Sequence, residues 1–272
     1  MENSLRHKKR NHALDCLKLF AAYMVIFIHV SMGGHIGSAF NALARFAVPI
    51  FFISAGYFAC NDDTRRIAGK IKRLLIMFLS SATFYFVWRV VFQICKTRDF
   101  SNVLSWIAQS YCWKNIINLF LFNNTISSEH LWFFLALIYT YALQWIIKTF
   151  KINQRMIYIL AIVFLLVHLF FGELSGIHRI CLPSNIYIRN FLFFGFPFFV
   201  CGAFIKENED FIVQHLSLPK LLIIIFIGAA EIALSIILFD LQDLYMGAIL
   251  MAVSSFIIAI KYKDLNIPNI IK

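Results

Sequence analysis

The sequence predicts an all-α polytopic transmembrane bundle of about eight helices with both termini cytoplasmic. Three observations predict it. Hydrophobic residues make up 61% of the 272 and charged residues 14%, a balance that no soluble domain sustains. Apolar runs of transmembrane length recur from end to end, and open sheets cannot span lipid, because their edges leave backbone groups unsatisfied. Lys and Arg collect in alternate loops, as cytoplasmic loops do. The net charge of +11 arises from these clusters, so no nucleic-acid partner is implied.

The first span, 14–31, reads LDCLKLFAAYMVIFIHVS. The basic run at 6–10 could introduce a cleaved leader, but Asp15 and Lys18 interrupt the apolar stretch and further spans follow, so the reading is an uncleaved helix. Lys18 and His29 fall roughly 20° from the same helical face and roughly 16 Å apart along the axis. Ionisable groups within a span usually mark function, and a snorkelling lysine with a packed histidine is the alternative.

The second span, 40–59, carries Arg45 and the run FFISAGYF. Ser54 within it reads better as a small packing residue than as a nucleophile. The third, 73–94, follows Arg65, Arg66, Lys70 and Lys72, and has Arg89 near its far end. The long connection 96–130, with Trp106, Tyr111 and Trp113, is expected to lie along the outer interface and partly re-enter. The fourth span, 131–147, opens beside Glu129, His130 and Trp132. The fifth is 156–171, and the sixth, 187–205, opens with Arg189 and Asn190. The seventh, 220–238, holds Glu231 near its middle, where it is expected to face the bundle and meet a proton or a polar substrate; the eighth is 243–260.

The six cysteines form no C-x-x-C pair, so no metal is expected. Cys112 and Cys181 fall in loops assigned outside, and a disulfide between them is the less favoured reading.

This topology sets His29, Arg45, Arg89, Glu129, His130, Trp132 and Arg189 at similar depth, toward the outer face. An imidazole can take a proton from a hydroxyl, guanidinium groups can hold a developing oxyanion, and Glu129 is a carboxylate available to orient the histidine. Interfacial anchoring is the competing account for Glu129 and Arg189. At the cytoplasmic side Lys18, Arg66, Lys70 and Arg73 could form a patch for a phosphate-bearing ligand, or could serve topology alone. Hydrolase elbows, Walker loops, zincin motifs and dinucleotide fingerprints are absent from the sequence.

The stretch Asn11 to Ala59 resembles the acyltransferase-3 family of bacterial integral-membrane O-acyltransferases. Leu14-Asp15-Cys16-Leu17-Lys18 followed by His29 resembles that family's first helix, L-D-x-x-R with a later His. Arg45-Phe46-Ala47-Val48-Pro49-Ile50-Phe51-Phe52-Ile53-Ser54-Ala55-Gly56 resembles its second, and Lys70-Ile71-Lys72-Arg73 its R-x-x-R. His130-Leu131-Trp132-Phe133 and the stretch from Arg189 to Gly202 are weaker matches. Lys18 and Lys70 stand where the family has Arg, which keeps the charge and loses the bidentate fork, and Ala55 separates Ser54 from Gly56.

The resemblance implies one acyltransferase-3-like domain over 1–272, shortened at its C-terminal end, in the bacterial cytoplasmic membrane. It implies cytoplasmic acyl-CoA (acetyl-CoA above all) as donor at Lys18, Lys70 and Arg73. The acceptor would be a hydroxyl of an envelope polysaccharide or lipid-linked sugar. His29 would be the base or a transient acyl carrier, with Arg45 and Glu129 beside it in catalysis, and His130, Trp132, Arg189 and Glu231 toward the acceptor. Related domains fused to serine racemases keep a second function open, supply of a small amino acid, and an inactive shortened remnant is a third.

Overall fold

The computed structural model describes residues 11–30, 33–126, 128–175, 182, 184, 187–238, 242 and 244–263. Regular structure among them is helical, as the apolar periodicity requires. Six helical stretches are long and apolar enough to cross a membrane, and a seventh counts if one bent pair is a single span. The eighth expected span is the 16-residue helix Met246–Lys261. The chain folds into two compact units, Ala55–Ala203 and the combined segments Met1–Ser54 and Phe204–Lys272.

In the unit that holds both chain ends, α1 (His12–His29) starts at Asn11, whose side chain accepts the Leu14 N–H. A return at Gly34, where φ is +75° and a Cβ would be strained, leads into α2 (Gly34–Ala44). The second span crosses as Ile36–Ala59, with Arg45 and Phe46 forming a local turn between α2 and α3 (Ala47–Ala59). Pro49 accounts for the turn: it has no N–H for the Arg45 carbonyl four residues earlier, and its ring crowds that group. Three helices complete this unit. The chain enters it within α9 (Phe196–Glu207) and continues through α10 (Glu209–His215), α11 (Leu218–Leu238) and α12 (Met246–Lys261). Helices α11 and α12 cross at Gly228 and Gly247, where a Cβ on Gly228 would lie 2.6 Å from the Gly247 carbonyl oxygen.

The other unit is built on α4 (Thr64–Thr97), 34 residues long where 73–94 was expected, and started by Asp63, which accepts the Arg66 N–H. At ~51 Å it exceeds the ~30 Å hydrocarbon layer, so both ends reach the headgroups or beyond. The long connection is two amphipathic helices, α5 (Phe100–Ser110) and α6 (Trp113–Phe122). Asp99 caps α5, and the Ser101 hydroxyl and N–H hold its carboxyl below the ordinary range. A 3-10 turn at Glu129–Leu131 leads into α7 (Trp132–Thr149), followed by α8 (Gln154–Phe171). Ile147, Ile157, Ala161, Phe196 and Val200 form a core in this unit. Gly56 sits against the Phe199 backbone carbonyl so closely that a Cβ cannot fit. The sixth expected span opens as a π-turn, Phe191–Gly195, continues into α9, and bends by 81° into α10. Cys112 is an exposed free thiol, and Cys181 lies outside the described residues.

Candidate active site

In the unit with the chain ends, α1 and α2 form a helical hairpin that carries two of the expected groups, His29 at the end of α1 and Arg45 just past the end of α2. His29 is the last residue of α1, with the Val30 N–H returning to the Ile26 carbonyl. Asn41 on α2 donates from Nδ2 to the Ile28 carbonyl at 2.9 Å. Asn41 lies one turn before Arg45 on the same helical face, so this bond ties the residue preceding His29 to the last turn of α2. Arg45 is half-buried just past that turn with its Nε enclosed. His29 is exposed, because α1 ends there. An imidazole offers proton transfer and a guanidinium offers oxyanion contact, and the Phe20–Phe46 ring contact at 6.1 Å sets Arg45 beside the middle of α1.

The second unit holds a separate set. Arg189 lies over the Trp132 ring at 5.7 Å, and Trp132 meets Phe194 of the π-turn edge-on at 5.6 Å. Asn190 shapes this turn by accepting the Leu192 and Phe193 N–H groups, at 2.9 and 3.2 Å. Asn123, fully buried with φ of +58°, accepts the Phe191 N–H at 2.8 Å and so fastens the end of α6 to the same turn. His168 is buried against Phe194, with Nδ1 2.9 Å from the Ile188 carbonyl. His130 instead forms a chain with the Tyr85 hydroxyl at 2.8 Å and with Ser128. Glu129 is exposed at the start of the 3-10 turn.

The expected phosphate-binding cations differ in what they contact. Lys18 pairs with Asp15 at 3.0 Å along α1. Lys70 pairs with Asp62 at 2.5 Å and lies 5.5 Å from the Tyr141 ring centre. Lys148 donates to the Cys60 and Asp62 carbonyls at 2.7 and 2.6 Å, so two lysines hold the turn before α4. Arg73 is exposed on α4, as are Arg65, Arg66 and Lys72.

Glu231 has protein partners on both carboxylate oxygens: Oε1 accepts from Ser235 at 2.9 Å and Oε2 from the Gly247 N–H at 2.7 Å. It caps the N-terminus of α12, where the helix dipole favours an anion.

Sequence reasoning passed over Asn41, Asn123, His168 and the buried Glu173. Asn123 had a usable signal, since Asn tolerates φ above zero at a helix end. His168 had one too, as an ionisable group near the end of an apolar run.

A family model described as an acyltransferase domain matches residues 11–271. Among curated proteins, one described as "Amino-acid racemase", from Enterococcus faecalis, is 25% identical over 217 residues, which is 72% of this chain and 28% of that protein. The chain thus spans well under a third of the length of that relative. No solved structure matches the chain.

Proposed function

The chain belongs to the acyltransferase-3 family and is a multi-pass membrane acyltransferase; from that premise we propose that it O-acetylates an envelope glycan or lipid-linked sugar, using cytoplasmic acetyl-CoA. The acceptor hydroxyl attacks the thioester carbonyl, the C–S bond breaks as the ester C–O bond forms, and the thiol leaves with a proton. His29 takes the hydroxyl proton, or carries the acyl group in two transfers of the same balance. Arg45, in the same unit, stabilises the oxyanion, and Arg189 with Trp132 and His130 forms a sugar-binding set within the other unit. Arg73 meets the donor's phosphates with Lys70, which exchanges its Asp62 carboxylate for phosphate. The chain sits in the bacterial cytoplasmic membrane with RHKKR and Lys263 on the cytoplasmic side.

The observation that carries this reading is the Asn41 bond to the Ile28 carbonyl, which ties α1, ending in His29, to α2, the helix that leads into Arg45. Membranes containing the chain, supplied with [14C]acetyl-CoA, are expected to label a glycan or lipid-linked sugar fraction. Membranes with His29→Ala are expected not to. Equal labelling by both removes His29 from the reaction, and no labelling in either overturns the donor assignment.

A second reading rests on the similarity to the Enterococcus faecalis protein described as an amino-acid racemase: a membrane domain that supplies a small amino acid. Uptake of labelled serine by proteoliposomes, with no acetyl transfer, favours it.

A further inference from the structure

We propose that α4, α5 and α6 hold one anionic phospholipid, with an acyl chain in an apolar groove and its phosphate at Arg89. The groove has a volume of about 490 Å³. Phe78, Ala82 and Phe86 form its α4 wall, and Ile107, Leu119 and Leu131 close it from the other side. Phe86 meets Tyr111 edge-on at 5.6 Å, which fixes one rim. The wall residues on α4 follow helical spacing, and Arg89 comes next on the same side, three residues beyond Phe86. Its Nη1 lies 3.4 Å from the carbonyl of Ile126, which itself lines the groove, so the exposed guanidinium stands at the mouth.

Depth selects the occupant. Arg73 and Arg89 stand ~24 Å apart on α4, close to the hydrocarbon thickness once both side chains snorkel. Arg89 therefore sits at phosphate level in its leaflet, and the groove descends ~12 Å from Phe86 to Phe78 into the acyl region. A lipid tail fits the apolar walls, and a phosphate complements the cation that tops them. The rest of α4 lacks this pairing: Phe84 and Trp88, 64% and 60% exposed, face bulk lipid.

The test uses the full chain in phosphatidylcholine nanodiscs with trace phosphatidylglycerol carrying a diazirine in one acyl chain. Photolabel is expected on the groove residues Phe78, Ile107 and Leu119, above its level at Phe84 and Trp88. Excess unlabelled phosphatidylglycerol should displace it and phosphatidylcholine should not. Arg89→Gln should lower groove labelling roughly fivefold, with Arg89→Lys keeping most of it. Ala82→Phe, which fills the groove, should abolish it; if that variant misfolds, the two Arg89 variants decide. Uniform labelling of groove and bulk-facing residues, or equal labelling in Arg89→Gln, overturns the proposal. Displacement by a polyprenyl phosphate but not by phosphatidylglycerol overturns it in favour of an isoprenoid carrier.

Discussion

Lys70 Nζ and Asp62 Oδ2 lie 2.5 Å apart across the turn that joins α3 to α4. The lysine side chain is 31% exposed and the aspartate 14%, so the pair is accessible enough to exchange partners. At such exposure a pair is worth less than about 1 kcal/mol after screening. Two tasks compete for Lys70: holding this turn and meeting a phosphate.

Asp62→Asn separates these tasks. If Lys70 contacts the donor, freeing it should tighten equilibrium binding of acyl-CoA to the solubilised protein. The double change Lys70→Gln and Arg73→Gln should weaken that binding, as should added salt with the wild type. Unchanged affinity in both variants would assign Lys70 to the turn alone.

His29→Ala should lower acetyl transfer by about 10²-fold or more, the usual contribution of a general base. Asn41→Ala removes the bond to the Ile28 carbonyl, a loss of about 1 kcal/mol in stability. If the bond also positions the hairpin end, kcat should fall about tenfold while acyl-CoA binding holds. Stability loss with unchanged kcat would make Asn41 a packing residue only.

Gly56→Ala places a Cβ into the Phe199 carbonyl and should cost about 1–3 kcal/mol, seen as a lower Tm in detergent. Gly69→Ala is the control: nothing lies within 4 Å of its Cβ, and a helix interior gains about 0.5–1 kcal/mol from the change.

Glu231→Ala should destabilise by about 1–3 kcal/mol, because the Gly247 N–H and Ser235 hydroxyl lose their acceptor. Glu231→Gln keeps an acceptor oxygen and should recover most of the Tm. Acetyl transfer that falls with Gln while Tm stays would assign a substrate role to this carboxylate.

A membrane-impermeant maleimide applied to intact cells should label Cys placed at Gly34 or Asn124 and spare Cys placed at Asp63, in a background where native cysteines are replaced. The opposite pattern inverts the orientation and moves His29 to the cytoplasmic side.

The apolar runs announced the membrane helices well where a helix is uniform, as in α1, α8 and α11. They missed local detail where backbone chemistry acts inside a run. The run through Pro49 does cross as one span, Ile36–Ala59, and what hydropathy leaves out is only the local turn at Arg45–Phe46. The π-turn at Phe191 has a local mark in its cap, Asn190, but it also depends on Asn123, which is distant in sequence. The motifs flagged His29 and Arg45 because spacing along one chain reports helical position. They did not reveal the partners of Lys70 and Glu231, which lie across a turn or on another element. A charge in a span is visible from sequence; whether its charge is already spent on a neighbour is a tertiary fact.

The Glu231–Gly247 contact also constrains biogenesis. Helix α12 has 16 residues, ~24 Å, which is short of the hydrocarbon layer on its own. Helix α11 carries a carboxylate whose insertion alone costs about 3 kcal/mol. Helix α11 is apolar enough to enter the bilayer despite that cost, with a mean hydropathy of 2.8. The shorter α12 is the one that gains from a partner already in place, so the order of synthesis becomes the order of assembly: α11 commits first, and the Gly247 N–H of α12 then docks on Glu231 Oε2.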